Sequence, residues 1–232
     1  MQITLNDVSY SYPGSTQTVL DGVRAVFPVG WTGIIGNNGC GKSTLARIAT
    51  GMLAPDSGTV SPRGLVVAYC EQDATIPPDR LEDFACSWEQ AAVRLRVDLG
   101  VDDDWLWRYD TLSSGQQKRL QVAVALWENP DVLVMDEPTN HVDVLTRRAI
   151  LRALAGYRGV GLLISHDREL LDALAGQCLC FEGARVVMRP GGYTQAGEQA
   201  ACDTKTAQRQ RRDAKREAAR IQAEAARRRN EA

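Results

Sequence analysis

The chain reads Gly36-Asn37-Asn38-Gly39-Cys40-Gly41-Lys42-Ser43-Thr44 between a strand-like apolar run at 31–35 and a helix-like run at 45–49. Glycine has no Cβ, so this backbone can turn its N–H groups inward around an anion. Lys42 would then reach the β- and γ-phosphates of a nucleotide, and the Ser43 hydroxyl would face Mg²⁺. The N-terminus of the following helix adds its dipole to these donors. The stretch therefore predicts a phosphate-binding loop rather than an ordinary glycine-rich turn.

Length and composition are typical of one large globular domain, or of one domain with an appendage. The chain has 232 residues, 44% of them hydrophobic, and a net charge of −2. No apolar run reaches membrane-spanning length, and the N-terminus lacks the basic and apolar regions of a signal peptide. We therefore expect a cytoplasmic protein without direct membrane insertion.

The cysteines form no C-x-x-C pair and have no metal-ligand spacing with His141 and His166, the two histidines of the chain. We expect reduced thiols that serve as small apolar residues. They are Cys40, Cys70, Cys86, Cys178, Cys180 and Cys202.

Two further polar groups follow short apolar runs. Asp136 and Glu137 follow the run at 132–135, which is typical of a buried parallel strand, and ligands of such sheets bind beyond the carboxyl ends of the strands. We expect Asp136 to hold Mg²⁺ through water and Glu137 to orient or deprotonate a water that attacks the γ-phosphate. His166 follows a similar run at 160–164 and could bind the γ-phosphate or that water. A lone histidine is more often structural, so only its neighbours favour this role.

Three weaker signals stay open between a functional and a structural role. Tyr12, at the end of the first strand, could stack on a purine or be an ordinary exposed tyrosine. Gln72 follows a short strand and could touch Mg²⁺ or the attacking water. Ser113 is a good N-cap for the helix at 120–127, whose first amides could bind an anion. Apolar residues at helical spacing within 80–110 predict one apolar face and a helical insert outside the main sheet; they are Leu81, Phe84, Trp88, Ala91, Ala92 and Leu95.

The C-terminal tail at 203–232 differs in charge from the rest of the chain. It holds ten Lys or Arg against five Asp or Glu, whereas the preceding 202 residues hold 17 basic and 24 acidic residues. The tail is rich in Ala, Arg, Glu and Gln without Gly or Pro, which favours a helix, but it has no apolar stripe wider than alanine. Such a helix is solvent-exposed, paired with another helix, or laid on a polyanion.

Taken in order, these motifs resemble an ATP-binding cassette (ABC) ATPase over residues 1–195. The motifs are the phosphate loop at 36–44, Gln72, Leu112-Ser113-Ser114-Gly115-Gln116, Asp136-Glu137, Asp143 and His166. The resemblance implies an ATP site at Asn38, Gly39, Cys40, Gly41, Lys42, Ser43 and Thr44, with Tyr12 stacked on the adenine. It implies Mg²⁺ ligands at Ser43, Gln72 and Asp136, and catalytic roles for Gln72, for Glu137 as general base and for His166 as switch histidine.

The same resemblance implies that a second cassette takes part in the site. In the family, Ser113, Ser114, Gly115 and Gln116 correspond to the signature that caps the ATP of a partner cassette, and Asp143 to the aspartate of the loop that couples the two sites. Ser114 stands where the family usually has glycine. The sequence holds one phosphate loop and one signature, so the resemblance implies a second cassette from the same longer chain or from another copy.

Two motifs resemble the ABC-F branch, whose members act on the ribosome. They are Glu-Pro-Thr-Asn-His-Val-Asp at 137–143, with Val142 where the branch has Leu, and Ser-His-Asp-Arg-Glu-Leu-Leu-Asp at 165–172. The basic helix after Gly192 resembles the start of a linker that approaches transfer RNA and ribosomal RNA. This implies an ATPase of a translation factor or of an antibiotic-resistance (ribosome protection) protein. The alternatives are the ATPase subunit of a membrane transporter and a chromosome-associated ATPase head, although the tail lacks the heptads of the latter.

The expected architecture is α/β. We predict a P-loop NTPase cassette at 1–200, with a mostly parallel core sheet, an N-terminal antiparallel β region and a short helical subdomain at about 78–128. Gly191-Gly192-Tyr193 would end the compact body, and a basic helical linker or tail at 201–232 would follow.

Overall fold

The structure is a computed structural model that describes residues 1–140, 142–183, 185–206, 209, 211 and 212. Its strands are β1 (Gln2–Ser11), β2 (Thr18–Pro28), β3 (Gly30–Ile35), β4 (Ser57–Ser61), β5 (Val67–Cys70), β6 (Val132–Asp136), β7 (Val160–Ile164), β8 (Ala175–Glu182) and β9 (Arg185–Pro190). Its helices are α1 (Lys42–Ala49), α2 (Leu81–Cys86), α3 (Gln90–Leu99), α4 (Ser114–Trp127), α5 (Val144–Ala155) and α6 (Arg168–Leu174). Two 3₁₀ turns cover Asp103–Trp107 and Tyr109–Thr111.

The predicted fold class is confirmed. A six-stranded sheet has the order β5-β6-β7-β3-β8-β9, in which the first five strands run parallel and β9 returns antiparallel to β8. A separate antiparallel sheet, β2-β1-β4, forms the N-terminal β region. Parallel strands need crossover connections, and here elements on both faces cover the sheet, so the central strands are buried apolar runs without alternation.

The register of the central strands brings the predicted site together. Asp136 at the end of β6 lies opposite Ile164 at the end of β7, and Ile164 in turn lies opposite Ile34 of β3. The carboxyl ends of these three strands are therefore level. The phosphate loop, Glu137 and His166 all follow at one edge of the sheet.

Two hydrophobic clusters cover the two faces of this sheet. Leu133 and Met135 of β6 pack with α4 and α5, whereas Val132 and Val134 pack with α1 and the antiparallel sheet. Side chains alternate along a strand, so a strand that is covered on both faces must be apolar at every position. Gly161 on β7 packs directly against the Trp31 ring. A Cβ at position 161 would lie 2.4 Å from that ring, so the packing leaves no room for a side chain there.

The helical insert forms, but it is broken into short pieces. The predicted apolar face is buried at Leu81, Phe84 and Ala92. Trp88 was expected on the same face and is 77% exposed, because it falls in the break between α2 and α3 where the helical spacing is interrupted. The expectation was wrong at Trp88.

The compact body continues past Gly192, where the sequence had suggested its end. Residues 193–206 are helical, and Ala196 on this helix is buried. The buried Arg189 of β9 forms ion pairs with Asp203 at 2.7 Å and with Glu182 at 2.8 Å. The helix is thus fastened to the β8–β9 hairpin, and it crosses the predicted boundary at 200/201 without a break. The other residues of the basic tail, 207, 208, 210 and 213–232, lie outside the described residues.

The cysteines are free thiols, and only some of them act as small apolar residues. Cys70 and Cys178 are buried, and burial raises the pKa of each thiol to about 12. Cys86 and Cys202 are exposed, contrary to that expectation. Among the residues that the structure describes, none belongs to a helix long and apolar enough to cross a bilayer.

Candidate nucleotide site

The phosphate loop joins β3 to α1 as the sequence predicted. Gly41 is the N-cap of α1 with φ of 106°, a conformation that L side chains rarely adopt, and a Cβ there would lie 2.7 Å from the Val19 side chain. Lys42 donates hydrogen bonds from Nζ to the carbonyl oxygens of Gly36 at 2.8 Å and Asn37 at 3.0 Å. Its ammonium is therefore held inside the curve of the loop, where an anion would meet it.

The predicted Mg²⁺ ligands from α1 and β6 are in direct contact. Ser43 donates from Oγ to Oδ2 of Asp136 at 2.7 Å, and Asp136 is 6% exposed. Tyr69 of β5 donates its hydroxyl to the same carboxylate oxygen at 3.2 Å. Burial, together with the charge of Asp136, raises the pKa of Tyr69, so its hydroxyl stays a donor. No motif marked Tyr69, and only the pairing of β5 with β6 could have found it, because it places Tyr69 opposite Val134.

The side chain of Glu137 lies in an environment that favours proton binding. Its Oε1 is buried without a hydrogen-bond partner, and its Oε2 accepts a hydrogen bond from the backbone N–H of His166 at 3.3 Å. Burial raises the pKa of this carboxyl, against the smaller opposing effect of the His166 N–H. Glu137 also has φ of 47°, an uncommon conformation outside glycine.

His166 connects the phosphate loop to this carboxylate. Its Nε2 lies 3.0 Å from Oδ1 of Asn38 and 3.6 Å from Oε1 of Glu137. The side chain is 56% exposed, which leaves it accessible from the cavity described next. The structure therefore places His166 among its predicted neighbours, and not in the apolar core where a purely structural histidine would pack.

These groups line one cavity of about 610 Å³. Tyr12 lies at its rim, 47% exposed, with its hydroxyl hydrogen-bonded to Oγ1 of Thr44 at 2.8 Å and its ring edge-to-face with Tyr10. The predicted residues that line the cavity are Tyr12, Asn38, Gly39, Gly41, Lys42, Ser43, Thr44, Gln72, Asp136, Glu137 and His166. Asn140, which the sequence analysis did not single out as a site residue, lines it as well.

The signature residues are not part of this cavity. Ser113 caps α4 by accepting from the Gln116 N–H at 3.4 Å, and its own N–H donates to Oε1 of Gln116 at 2.9 Å, so a capping box forms as the N-cap signal predicted. Ser114 lines a separate cavity of about 350 Å³ together with Gln72. The phosphate loop and the signature of this chain therefore belong to different surfaces.

Asp143 acts as a helix cap. It accepts hydrogen bonds from the backbone N–H groups of Leu145 and Thr146, at 2.8 and 2.9 Å, at the start of α5. The Thr146 N–H and hydroxyl hold the pKa of this carboxyl below its usual value. His141, in the same motif, lies outside the described residues.

The residues of the cavity fit a magnesium nucleotide. The loop offers backbone donors and an ammonium to phosphate, and Ser43 with Asp136 offers the hard oxygen ligands that Mg²⁺ prefers. The unpaired buried Oε1 of Glu137 faces the same region, where a water or hydroxyl could donate to it.

The architecture and this arrangement define an ATP-binding cassette. The family model described as ABC transporter matches residues 25–140, and the chain belongs to that family. A solved ATP-binding subunit of an ABC transporter superposes with a TM-score of 0.67 over 82% of this chain and 90% of that chain; at 21% sequence identity, this shows the fold.

Curated relatives place the chain within the family. ATP-binding protein Uup of Escherichia coli is 34% identical over 206 residues, which cover 83% of this chain and 32% of Uup. Ribosome protection protein VmlR of Bacillus subtilis is 33% identical over 196 residues, which cover 83% of this chain and 33% of VmlR. The chain is therefore an ABC-F-like cassette, as the motifs at 137–143 and 165–172 indicated. It spans about a third of the length of these two relatives.

Proposed function

We propose that this chain binds and hydrolyses ATP, with Mg²⁺, as one cassette of an ABC-F type translation factor or ribosome protection protein. The observation that carries the proposal is the buried, unpaired Oε1 of Glu137, which lines the same cavity as Lys42, Ser43 and Asp136. A carboxylate oxygen without a hydrogen-bond partner, facing a phosphate-binding loop, is suited to accept a proton from water.

The residues have separate tasks in this reaction. The loop amides at 38–44 and Lys42 bind the phosphates, and Tyr12 provides an aromatic face for the adenine. Glu137 takes a proton from water as the water oxygen bonds to the γ-phosphorus and the bond from that phosphorus to the bridging oxygen of ADP breaks. His166 orients the γ-phosphate or the attacking water. Mg²⁺, held by Ser43, Gln72 and Asp136, would neutralise charge on the phosphate oxygens.

A second cassette completes the site in this proposal. The signature turn at the start of α4 presents Ser113 and Ser114 to solvent on a surface apart from the nucleotide cavity. Backbone N–H groups at a helix start attract anions, so this turn is suited to cap a γ-phosphate that another cassette holds. Hydrolysis would remove the bridging phosphate and reopen the interface.

The ribosomal role rests on likeness and on charge. VmlR is a ribosome protection protein by name, and the tail at 203–232 carries the basic excess that contacts with a polyanion require. We infer that this cassette works in the cytoplasm, where ribosomes are found, and that its basic helix approaches RNA.

The test compares two variants of the chain in ribosome co-sedimentation with ATP. Glu137→Gln keeps the shape of the side chain but removes the base, so hydrolysis should stop and ATP-dependent sedimentation with ribosomes should increase. Lys42→Ala removes the phosphate ligand and should abolish both ATP binding and sedimentation. Loss of ATP binding in the Glu137→Gln variant, or an unchanged hydrolysis rate, would contradict the assigned base.

The tail is tested by replacing Arg211, Arg212, Lys215 and Arg216 with alanine. Contacts with phosphates release counterions, so this variant should bind ribosomes more weakly and with a flatter dependence on salt, while its ATP affinity is unchanged. Unchanged ribosome affinity at moderate salt would remove the tail from the interface. ATP-dependent partition into membrane fractions, without ribosome binding, would favour the transporter subunit instead.

A further inference from the structure

Lys118, on the second turn of α4, is a buried lysine with a complete set of partners. Its residue exposure is 3%. Its Nζ donates to the carbonyl oxygen of Glu71 at 2.7 Å, to that of Gln72 at 3.0 Å and to Oε1 of Gln121 at 2.8 Å. An ammonium has three N–H donors, and all three are used.

The acceptors of Lys118 are neutral oxygens, and this makes the buried charge expensive. Burial of an ammonium without a directly paired carboxylate costs free energy, and here it lowers the pKa of Lys118. A methionine of similar shape would fill the same space without that cost. Packing alone therefore does not account for a lysine at this position, whereas its hydrogen bonds to the backbone at 71–72 do.

These bonds join two segments that belong to different surfaces. Gln72 lines the nucleotide cavity, whereas Lys118 lies one turn beyond Ser114 of the signature. Both Gln72 and Lys118 also line the cavity of about 350 Å³ between the two segments. A shift of the backbone at Gln72 must therefore either move α4 or break two hydrogen bonds to a buried charge.

The loop after β5 has a second attachment to the helical subdomain. The hydroxyl of Tyr109 donates to the carbonyl oxygen of Ala74 at 2.5 Å. Asp73 accepts from the backbone N–H of Thr75 at 2.9 Å, which stiffens the loop between the two attachments. Because the backbone of the loop is held at 71–72 and at 74, a ligand that displaces Gln72 also displaces the helical subdomain to which the loop is attached.

We propose that Lys118 is a positioning residue that couples Gln72 at the nucleotide cavity to the signature turn at the start of α4. Nucleotide bound in this cassette would then order the very turn that meets the nucleotide of a partner cassette. This inference rests on the proposed function, because Gln72 can report on a nucleotide only if the cavity binds one.

The adjacent residue offers a matched control. Arg119 also sits on α4 and donates to two backbone carbonyl oxygens, those of Leu99 at 3.2 Å and Gly100 at 3.0 Å, at the end of α3. Arg119→Met and Lys118→Met thus remove the same kind of bond from the same helix. Only the second frees the loop that carries Gln72.

The experiment is a double-mutant cycle on the full chain, with MgATP affinity measured by titration. We expect Lys118→Met to weaken binding about tenfold, which is about 1.4 kcal/mol, and to have no further effect in a chain that already carries Gln72→Ala. Arg119→Met should leave the affinity unchanged in both backgrounds. Amide hydrogen exchange should show that MgATP protects residues 114–118 in the wild type but not in Lys118→Met or in Gln72→Ala.

The possible results distinguish a failure of the proposed function from a failure of the coupling through Lys118. A wild-type chain that fails to bind MgATP would overturn the proposed function, and the coupling with it. If the wild type binds but Lys118→Met and Gln72→Ala weaken binding additively, or if residues 114–118 gain protection in all variants, Lys118 is merely structural. Should Lys118→Met not fold, Lys118→Gln, whose amide is one atom too short to reach both carbonyls, goes through the same cycle with the same criteria.

Discussion

Replacing Glu137 with glutamine should stabilise the folded chain, although it removes the proposed catalytic base. The folded protein keeps Oε1 of Glu137 buried without a partner, and ionisation of the group in that place is costly. Glutamine has nearly the same shape, and its oxygen can still accept from the His166 N–H. Glutamine carries no charge, so the cost of a buried carboxylate charge disappears; because one pKa unit corresponds to about 1.4 kcal/mol, we expect a gain of about 1–2 kcal/mol in the free energy of unfolding at pH 8.

The pH dependence of this gain has a definite sign. Burial raises the pKa of Glu137 in the folded state above the value of 4.5 that is normal for a glutamate. The folded state therefore binds the proton more tightly than the unfolded chain, and stability is lost as the pH rises from about 4.5 through the folded pKa. The difference between Glu137→Gln and wild type should be smallest near pH 4.5, grow over the next pH units and then level off.

Urea unfolding of both proteins at a series of pH values measures this difference directly. Asp136→Asn is the matched control, because Oδ2 of Asp136 accepts hydroxyl hydrogen bonds from Ser43 and Tyr69. The amide loses charge-assisted bonds there, so that variant should be less stable than wild type by about 1–2 kcal/mol. A Glu137→Gln protein that is less stable at pH 8, or whose difference from wild type is independent of pH, would refute the picture of a strained carboxylate.

Two further predictions concern the elements around the site. Ser113→Ala removes one half of the capping box of α4 and should lower the free energy of unfolding by about 1 kcal/mol in urea titration, whereas Ser114→Ala, outside the box, should change it by less than about 0.5 kcal/mol. Arg189→Met leaves Glu182 and Asp203 unpaired and should release the helix at 193–206, seen as faster amide exchange there, while Asp203→Asn should cost under about 1 kcal/mol because Asp203 is 69% exposed. Unchanged exchange in Arg189→Met would mean that apolar packing holds the helix without the ion pairs.

Short-range patterns were enough to locate most of the elements around the nucleotide cavity. The bounds of β7 follow from its apolar run, and the Gly41-Lys42-Ser43 turn needs only local backbone geometry. The same patterns failed at Trp88, where a break between two short helices interrupts the spacing, and at Gly192, beyond which the helix stays attached through Arg189. The second failure depends on an ion pair between side chains of two different elements, which the local pattern does not contain.

The sequence by itself determined the phosphate loop, the family, and the fact that acidic residues follow a buried strand, because these are encoded in contiguous residues whose chemistry is local. Only the tertiary structure decided which hydroxyls donate hydrogen bonds to the same carboxylate oxygen and which carbonyl oxygens accept from the same ammonium. The hydroxyl of Tyr69 meets Asp136 because β5 pairs with β6. Lys118 reaches the carbonyls at 71–72, some 46 positions away, because α4 packs beside the end of β5. Strand pairing and helix packing are set by the whole core, and no window along the chain contains them.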